Sequence, residues 1–235
     1  MKKIIAVIPV KLNSKRLKKK NIKLLDNFEL FLWTYEAAKK SKFISKVVIS
    51  TESKEVIKIA NRFGYKEKYI RPKKLTKEKY KNTHVLEDVL KDERNYNRVY
   101  DLAVILQPTS PIKNQFLIDK SIKGFLKSKA NSGMTLRPPI QKRFNFLGKL
   151  NQKSKIFNVE NYLLKNQKFY IPNGNIYIVK VKEFLSKKTF FIKPIYGQDC
   201  SLFESIDIDY LEDFKLAELI LKNELILCSR PSKLK

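Results

Sequence analysis

The sequence has only two cysteines and one histidine, and both shortages exclude classes of site. Cys200 and Cys228 form no Cys-x-x-Cys pair, so they supply neither a zinc ribbon nor a disulfide framework. With His84 as the single histidine, any mechanism or metal site that needs two imidazoles is excluded, and we leave His84 out of the site. Two reduced cysteines are typical of the cytoplasm, where we expect the protein to reside.

Long apolar runs are also missing. No stretch approaches the roughly 18 consecutive apolar residues that span a bilayer, so we expect no membrane insertion. The start, two lysines followed by 4–10, resembles a signal peptide, but the apolar run is short and has no small-residue cleavage site. A strand buried on both faces explains this run better.

Acidic residues are scarce, with 23 Asp and Glu against 50 Lys and Arg, which leaves a formal charge of +27. Such a balance suggests nucleic acid, an anionic membrane or a phosphorylated substrate as partner. The basic residues are 42 lysines and eight arginines, however, and arginine is preferred for bidentate phosphate and base contacts. We therefore interpret most lysines as a solvated surface and expect no specific nucleic-acid binding; a polyanion partner is the alternative.

Strands and helices alternate over the first 136 residues. The apolar patterns predict strands at 4–10, 47–49, 102–106 and 134–136, and helices at 30–40, 53–63, 83–94 and 116–127. This alternation is typical of βαβ units around a mostly parallel sheet. The sequence therefore predicts one α/β domain over 1–235, Rossmann-like, with helices flanking the sheet.

The alternation fails between Arg137 and Tyr170, where two prolines, lysine- and asparagine-rich stretches and scattered aromatics show no period. A segment this long is either disordered or an excursion with contacts of its own, and we expect a dimerisation excursion over 137–172. Beyond it, the pattern predicts strands at 176–179, 190–194 and 205–209 and a helix at 211–221.

Four polar loops follow predicted strands, and ligands of open α/β sheets bind beyond the carboxyl ends of strands. The first loop, 11–21, has a hydroxyl, amides and six cations but no glycine, so it is neither a P-loop nor a dinucleotide fingerprint. Its composition predicts a triphosphate site; the alternative is a basic surface loop. The others are Gln-Pro-Thr-Ser-Pro at 107–111, Asn-Gly-Asn at 173–175 and Asp-Ile-Asp at 207–209. The first two of these are equally compatible with plain turns.

Asp207 and Asp209 are candidate metal ligands. Residues two apart in an extended strand point to the same side, so both carboxylates can converge on one cation. Asp209 has an alternative role as the N-cap of the last helix, with Glu212 as its capping-box partner. Asp207 lies between two isoleucines, where a carboxylate is costly unless paired or metal-bound.

Together these motifs resemble the acylneuraminate cytidylyltransferases, or CMP-sialic acid synthetases, including members that activate related nine-carbon sugar acids. The resemblance rests on Ser14 with Lys20-Asn21, Val-Val-Ile-Ser-Thr-Glu at 47–52, Arg71-Pro72, Leu-Gln-Pro-Thr-Ser-Pro at 106–111, Pro-Asn-Gly at 172–174 with Ile-Tyr-Ile at 176–178, and Ser-Ile-Asp-Ile-Asp at 205–209. Each motif alone is weak, but their order from Ile4 to about Leu219 is specific.

The resemblance implies a fold of the nucleotidyltransferase type, a homodimer, and transfer of CMP from CTP to the anomeric hydroxyl of a 2-keto sugar acid. Pyrophosphate is released and Mg²⁺ is required, which agrees with the need to neutralise phosphate charge. The implied CTP-binding residues are Lys11, Asn13, Ser14, Lys15, Lys20, Asn21 and Arg71. The implied sugar-binding residues are Gln107, Ser110, Asn173 and Gly174. The implied catalytic residues are Lys20, Asp207 and Asp209, of which the two aspartates bind Mg²⁺, and no general base is evident.

Three residues depart from the family pattern near the sugar and its carboxylate. Lys11 and Lys113 replace arginines, which keeps the charge but not the planar fork, and Ile171 stands where arginine often precedes the proline. The arginine and Leu-Pro pattern upstream are missing around 163–167, and the candidate replacements are Lys165 and Lys168. The sugar therefore stays open. The alternatives are a cytidylyltransferase for a related 2-keto-3-deoxy sugar acid, a fold-retaining protein without activity, and a basic nucleic-acid-binding protein.

Overall fold

A six-stranded sheet organises the protein, and the computed structural model describes residues 2–138, 147–150, 156–160 and 170–232. The strands are β1 (Ile4–Pro9), β2 (Leu24–Leu25), β3 (Phe28–Glu29), β4 (Lys46–Ser50), β5 (Leu102–Leu106), β6 (Ser132–Arg137), β7 (Leu147–Leu150), β8 (Ile156–Glu160), β9 (Ile171–Lys180) and β10 (Ile195–Asp199). The helices are α1 (Leu30–Lys39), α2 (Lys54–Asn61), α3 (Asn82–Asn95), α4 (Gln115–Ser128), α5 (Val181–Lys187) and α6 (Leu211–Lys222).

The order of strands in the large sheet is β10-β6-β9-β5-β1-β4. β1 pairs in parallel with β4 and β5, β6 pairs in parallel with β10, and β9 runs antiparallel between β5 and β6. Five strands therefore point the same way, and the predicted mostly parallel α/β sheet is confirmed. Because β9 is reversed, its first residues lie at the same edge of the sheet as the last residues of its neighbours.

The sheet is covered on both faces, which explains why β1 and β5 are continuous apolar runs. On one face Ala6 and Ile8 pack with side chains of α1, α2 and α4. On the other face Ile5 and Val7 pack with α3 and α5. Each fully buried aliphatic side chain contributes about 1.5–3 kcal/mol to folding, so these strands anchor the loops that follow them.

Local capping sets the helix starts close to where the sequence predicts them. Ser53 Oγ accepts from the backbone N–H of Val56 at the start of α2, and Asn114 Oδ1 accepts from Leu117 at the start of α4. Gly64 follows α2 with φ of 90°, the left-handed conformation expected there. His84 is exposed, and its Nδ1 accepts from the N–H of Lys81 at the start of α3.

Two strand predictions are wrong. The strand predicted at 190–194 lies instead at 195–199, because Phe190 is buried by stacking on Phe184 and Tyr177 rather than by strand pairing. The strand predicted at 205–209 is absent: a 3-10 turn occupies Phe203–Ser205. The extended residues that follow make one backbone hydrogen bond to the 107–111 loop, from Ile208 N to Thr109 O at 2.7 Å.

The expected excursion at 137–172 begins and ends inside the sheet. Arg137 is the last residue of β6 and is paired with Ile171, the first residue of β9. Between them, β7 and β8 form a separate antiparallel pair, which the sequence analysis did not predict. The remaining positions, with the candidate replacements Lys165 and Lys168, lie outside the described residues. Among the described helices, none is long and apolar enough to cross a membrane.

Candidate functional site

Hydrogen bonds to backbone carbonyls bring the four predicted loops together at one edge of the sheet. Gln107 at the end of β5 donates its N–H to Asn175 O at the start of β9, 3.1 Å away. The N–H of Ile208 donates to Thr109 O. Lys20 Nζ in turn donates to Ile208 O, so the first loop reaches the same place. The convergence expected at a strand-end ligand site is therefore present.

The first loop is closed by hydrogen bonds of its own. Ser14 Oγ accepts from the N–H of Lys20 at 3.1 Å, and Asn21 Nδ2 donates to Lys11 O at 2.8 Å. Lys20 and Asn21 are buried although the loop lies at the surface. Asn21 Oδ1 has no hydrogen-bond partner within the described part of the chain. A buried acceptor left unpaired costs about 1–3 kcal/mol, so this atom is suited to receive a donor from a ligand.

The carboxylate of Asp209 is held between two cations. Lys20 Nζ lies 3.2 Å from Oδ1, and the Arg16 guanidinium contacts Oδ2. The Lys20 side chain is only 9% exposed and is also anchored to a carbonyl, whereas that of Arg16 is 55% exposed and lies over the Tyr210 ring. Lys20 is therefore a fixed charge, and Arg16 is the partner that can leave.

Arg71 is buried and joins the first loop to the end of β4. Its Nη2 donates to Glu52 Oε2 at 2.6 Å and to Val10 O at 3.2 Å, and Glu52 Oε1 accepts from the N–H of Leu12. Burial raises the pKa of Glu52, but the hydrogen bonds from Leu12 and Arg71 outweigh it, so its pKa lies below the ordinary value. Arg71 Nε has no acceptor within the described chain.

A cleft of about 380 Å³ adjoins this pair. Its walls include Pro9, Lys11 and Arg71 and the residues 75–78, 80–82 and 85. Its volume falls in the usual range for small-molecule sites. Lys15 is exposed, and its ammonium pairs at 2.7 Å with Glu78, which lines the cleft. Asn13 is likewise exposed.

The 107–111 loop is held from inside. Gln107 O accepts from Lys113 Nζ at 2.6 Å, from Thr34 Oγ1 at 3.3 Å and from the N–H of Ser110 at 3.3 Å. Ser110 is buried, whereas Gln107 is half-buried. Lys113, which replaces a family arginine, is fully buried, and its ammonium donates to the loop itself rather than facing the surface.

Asn173 shapes the start of β9 rather than presenting its amide. Its Oδ1 accepts from Thr135 Oγ1 at 2.6 Å and from the N–H of Asn175 at 3.1 Å, and its Nδ2 donates to Ser205 Oγ at 2.9 Å. Gly174 has φ of 78°, and a Cβ there would meet nothing within 4 Å. Glycine is therefore required for its backbone conformation and not for space.

The Asp-Ile-Asp segment keeps its alternation without a strand ladder. Ile208 is buried in a cluster with Leu25 and Trp33, so Asp207 and Asp209 face the other way. Asp207 is exposed, which corrects the expectation of a buried carboxylate in an apolar setting. Its position outside the core follows from the burial of Ile208 on the opposite side of the segment.

The alternative role of Asp209, as N-cap of the last helix, is not observed. α6 begins one residue later than a cap at Asp209 requires, and its N-cap is Tyr210. Asp213 Oδ2 accepts from the N–H groups of Asp209 and Tyr210 at 2.9 and 2.8 Å, in place of the expected Glu212. Helix capping therefore does not explain why an aspartate lies at position 209, and its carboxylate contacts only the two cations among the groups described above.

These carboxylates fit only one kind of metal site. No group of three or more Asp, Glu, His or Cys side chains in the described chain can hold a metal ion. Mg²⁺ at nucleotide sites typically uses one or two carboxylates together with waters and substrate phosphates. Asp207 and Asp209 supply hard oxygen ligands of that number, so the donor set suits Mg²⁺ bound with a nucleotide.

Sequence reasoning missed Arg16, Glu52 and the buried position of Lys113. Arg16 and Asp209 are 193 positions apart, so no local pattern reveals their contact. Glu52 lies in the 47–52 motif, and its position directly after a buried strand was the available signal.

Comparison with known proteins identifies the family. The family model described as Cytidylyltransferase matches residues 5–226. CMP-N,N'-diacetyllegionaminic acid synthase of Legionella pneumophila is 31% identical, over 94% of this chain and 97% of that protein. Pseudaminic acid cytidylyltransferase of Campylobacter jejuni is 26% identical over the same shares of the two chains.

A solved structure shows the same fold. CMP:2-keto-3-deoxy-manno-octonic acid synthetase complexed with CTP gives a TM-score of 0.69 at 15% identity, covering 94% of this chain and 99% of that one. The predicted fold of the nucleotidyltransferase type is confirmed. By the family match over almost its entire length, the chain belongs to the cytidylyltransferase family, an enzyme family that its ordered motifs predict.

Proposed function

We propose that the protein transfers CMP from CTP to the anomeric hydroxyl of a nonulosonic acid, a nine-carbon sialic-acid-like sugar, and releases pyrophosphate. The observation that carries this proposal is the meeting of the cationic first loop with Asp209 through Lys20. Nucleotidyl transfer needs cations at the phosphates and carboxylates for a metal ion in one place. The names of the two sequence relatives support a nonulosonic acid as acceptor.

In this reaction the first loop binds the triphosphate. Lys20 is the preorganised cation, because burial and its bond to Ile208 O hold the ammonium in place before substrate arrives. The other phosphate-binding residues that we assign are Lys11, Asn13, Ser14 and Lys15. Lys15 must leave Glu78 to reach a phosphate, and because both side chains are exposed, this ion pair is weak.

We assign binding of the cytidine part of CTP to Asn21 and Arg71. Asn21 Oδ1 is a buried acceptor and Arg71 Nε a buried donor, both unpaired in the described chain. Cytosine carries an amino donor and a carbonyl acceptor, so one base can satisfy both atoms. Arg71 also lines the cleft beside the first loop.

Asp207 and Asp209 would hold Mg²⁺ together with oxygens of the triphosphate. The bound ion supplies neutralisation of the charge on the phosphates. The carboxylate of Asp209 can bind a metal ion only if one of its two ion pairs breaks. The pair with Arg16 is the exposed one. Arg16 would then lie beside the triphosphate with its charge free.

The sugar acid would contact Gln107 on its exposed side, next to the turn at Gly174. Ser110 and Asn173 are buried and act on the shape of this pocket. The alternative acceptor is a related eight-carbon 2-keto-3-deoxy sugar acid, as in the name of the solved structure. That likeness, at 15% identity, speaks for the fold alone, so we favour the nine-carbon acceptor.

Pyrophosphate release tests the proposal. With Mg²⁺ and a panel of nonulosonic acids, we expect kcat/KM for CTP to exceed that for ATP and GTP by about a hundredfold or more, because a wrong base leaves buried polar groups unpaired. The eight-carbon acid serves as the comparison acceptor. Equal turnover of all four nucleotides, or no turnover with any sugar acid, would contradict the proposed function.

We further propose a cytoplasmic homodimer, with the excursion at 137–172 as the dimer contact. The two cysteines are free, and burial raises the pKa of each thiol to about 12, so both stay protonated in a reducing compartment. Sedimentation of the intact protein should give twice the mass of the chain. A variant with a short turn in place of 139–169 should be monomeric, and a folded monomer of the intact protein would rule the dimer out.

A further inference from the structure

Lys113 is a fully buried lysine that forms no ion pair with the described residues. Its Nζ donates to Gln107 O at 2.6 Å and to Thr34 Oγ1 at 3.2 Å, both uncharged acceptors. A buried ammonium without a contacting carboxylate is costly, and an apolar side chain would fill the same space without that cost. The retained charge therefore needs an explanation beyond packing.

The ammonium fixes the backbone of one loop. Gln107 O takes hydrogen bonds from Lys113, from Thr34 on α1 and from the N–H of Ser110. The hydrogen bond from Lys113 has the shortest donor–acceptor distance of the three. Hydrogen bonds from charged donors are roughly twice as strong as neutral ones, so Lys113 is the main restraint on the Gln107 peptide.

The segments around Lys113 contribute few other charges. Asp207 acts on it from the segment before α6, Cys200 from the end of β10, and Cys228 from the C-terminal segment. Burial lowers the pKa of Lys113 to about 7, and Asp207 opposes this. Both thiols are protonated and uncharged near neutral pH. Of these three groups, Asp207 is therefore the one whose charge acts on the pKa of Lys113.

We infer that Lys113 is a positioning residue for the sugar acid: its ammonium orients the Gln107 peptide and so the side chain that the proposed function assigns to the acceptor. This inference rests on the proposed function. The CTP contacts that we propose lie on the first loop and Arg71, whereas Lys113 Nζ donates to Thr34 and Gln107. Loss of the ammonium should therefore weaken binding of the sugar acid and leave binding of CTP unchanged.

The test compares Lys113→Met with wild type in pyrophosphate release between pH 6 and 9. We expect the KM for the sugar acid to rise about tenfold in Lys113→Met, the effect of one hydrogen bond to a charged donor, with the KM for CTP unchanged. In wild type the KM for the sugar acid should rise as pH passes about 7, where Lys113 loses its charge. In Lys113→Met this pH dependence should be lost.

Two further variants separate positioning from folding. Lys113→Arg keeps the charge throughout this pH range, so it should keep a low KM for the sugar acid above pH 7. Lys123→Met changes an exposed lysine on α4 and should match wild type. Circular dichroism and thermal unfolding establish that each variant is folded. If Lys113→Met is not folded, Lys113→Gln takes its place.

The outcomes are distinct. A wild-type enzyme inactive with every sugar acid overturns the proposed function and this inference together. An active Lys113→Met or Lys113→Gln with an unchanged KM for the sugar acid overturns this inference alone. An equal rise in the KM values for CTP and sugar acid would assign Lys113 a general structural role instead.

Discussion

Asp209→Asn is expected to lower kcat by about 10²–10³-fold while α6 keeps its start. The carboxylate faces Lys20 and Arg16, whereas the helix cap is formed by Asp213. The amide keeps the shape of the side chain but removes the charge that a metal ion and a transferring phosphate need. Asp207→Asn should show a similar loss. Asp207 is exposed, so its replacement should leave thermal stability unchanged.

The measurement is pyrophosphate release at saturating CTP over a Mg²⁺ titration, in which both variants should need more Mg²⁺. Asp213→Asn is the matched control, since the oxygen of the asparagine amide can still accept from the N–H groups of Asp209 and Tyr210. That variant should keep near wild-type activity. Asp209→Asn gives up a partly exposed ion pair, so its stability should fall by about 1 kcal/mol or less. Near wild-type turnover in Asp207→Asn or Asp209→Asn would remove the metal assignment.

Arg71→Met is expected to destabilise the protein by about 3–5 kcal/mol and to abolish CTP binding. Breaking a buried ion pair leaves an uncompensated charge, in this case the Glu52 carboxylate, which keeps the N–H of Leu12 as a partner but has lost its cation. Urea unfolding at pH 7 measures the loss. The double variant Arg71→Met/Glu52→Gln should recover part of the stability, because no unpaired charge remains, but should not recover CTP binding.

Acid adds a second readout for this pair. The folded pKa of Glu52 lies below its ordinary value of 4.5, so its contribution to stability is complete above that pH and is lost as pH falls through the folded pKa. Arg71→Met removes one of the groups that lower this pKa. Its unfolding free energy should therefore depend less steeply on pH below about 4.5 than that of wild type. A urea midpoint at pH 7 equal to wild type would contradict the role of the pair.

The strands that the sequence predicts best are those with uninterrupted apolar runs, such as 4–10 and 102–106, because both faces of the sheet are covered. β10 escapes such a prediction. Among the described strands it pairs only with β6, at the edge of the sheet, and its sequence, Ile-Tyr-Gly-Gln-Asp, is largely polar or exposed. Of the apolar residues just before it, which suggested a strand, Phe190 is buried by stacking on Tyr177 and Phe184, whereas Phe191 is exposed.

For the candidate site, short motifs predict the loops well but not the partners of individual side chains. Lys113 and Thr34 are 79 positions apart, and only the packing of α1 beside the 107–111 loop brings them together. A one-residue shift in the start of α6 decides whether Asp209 or Tyr210 is the cap, a difference smaller than patterns resolve. The sequence can therefore identify Asp209 as a candidate site residue. Only the structure shows that its carboxylate does not cap α6 and faces two cations instead.

The pairing of Arg137 with Ile171 has a consequence for how this family can diversify. The two ends of the excursion are neighbours on adjacent antiparallel strands, so the chain between them is joined to the sheet as a long hairpin connection. Closure of such a connection costs little more when it lengthens, because the entropy of a loop grows only logarithmically with its length. Segments of different length can therefore connect β6 to β9 in this family with little difference in loop entropy, while the two strands keep their register.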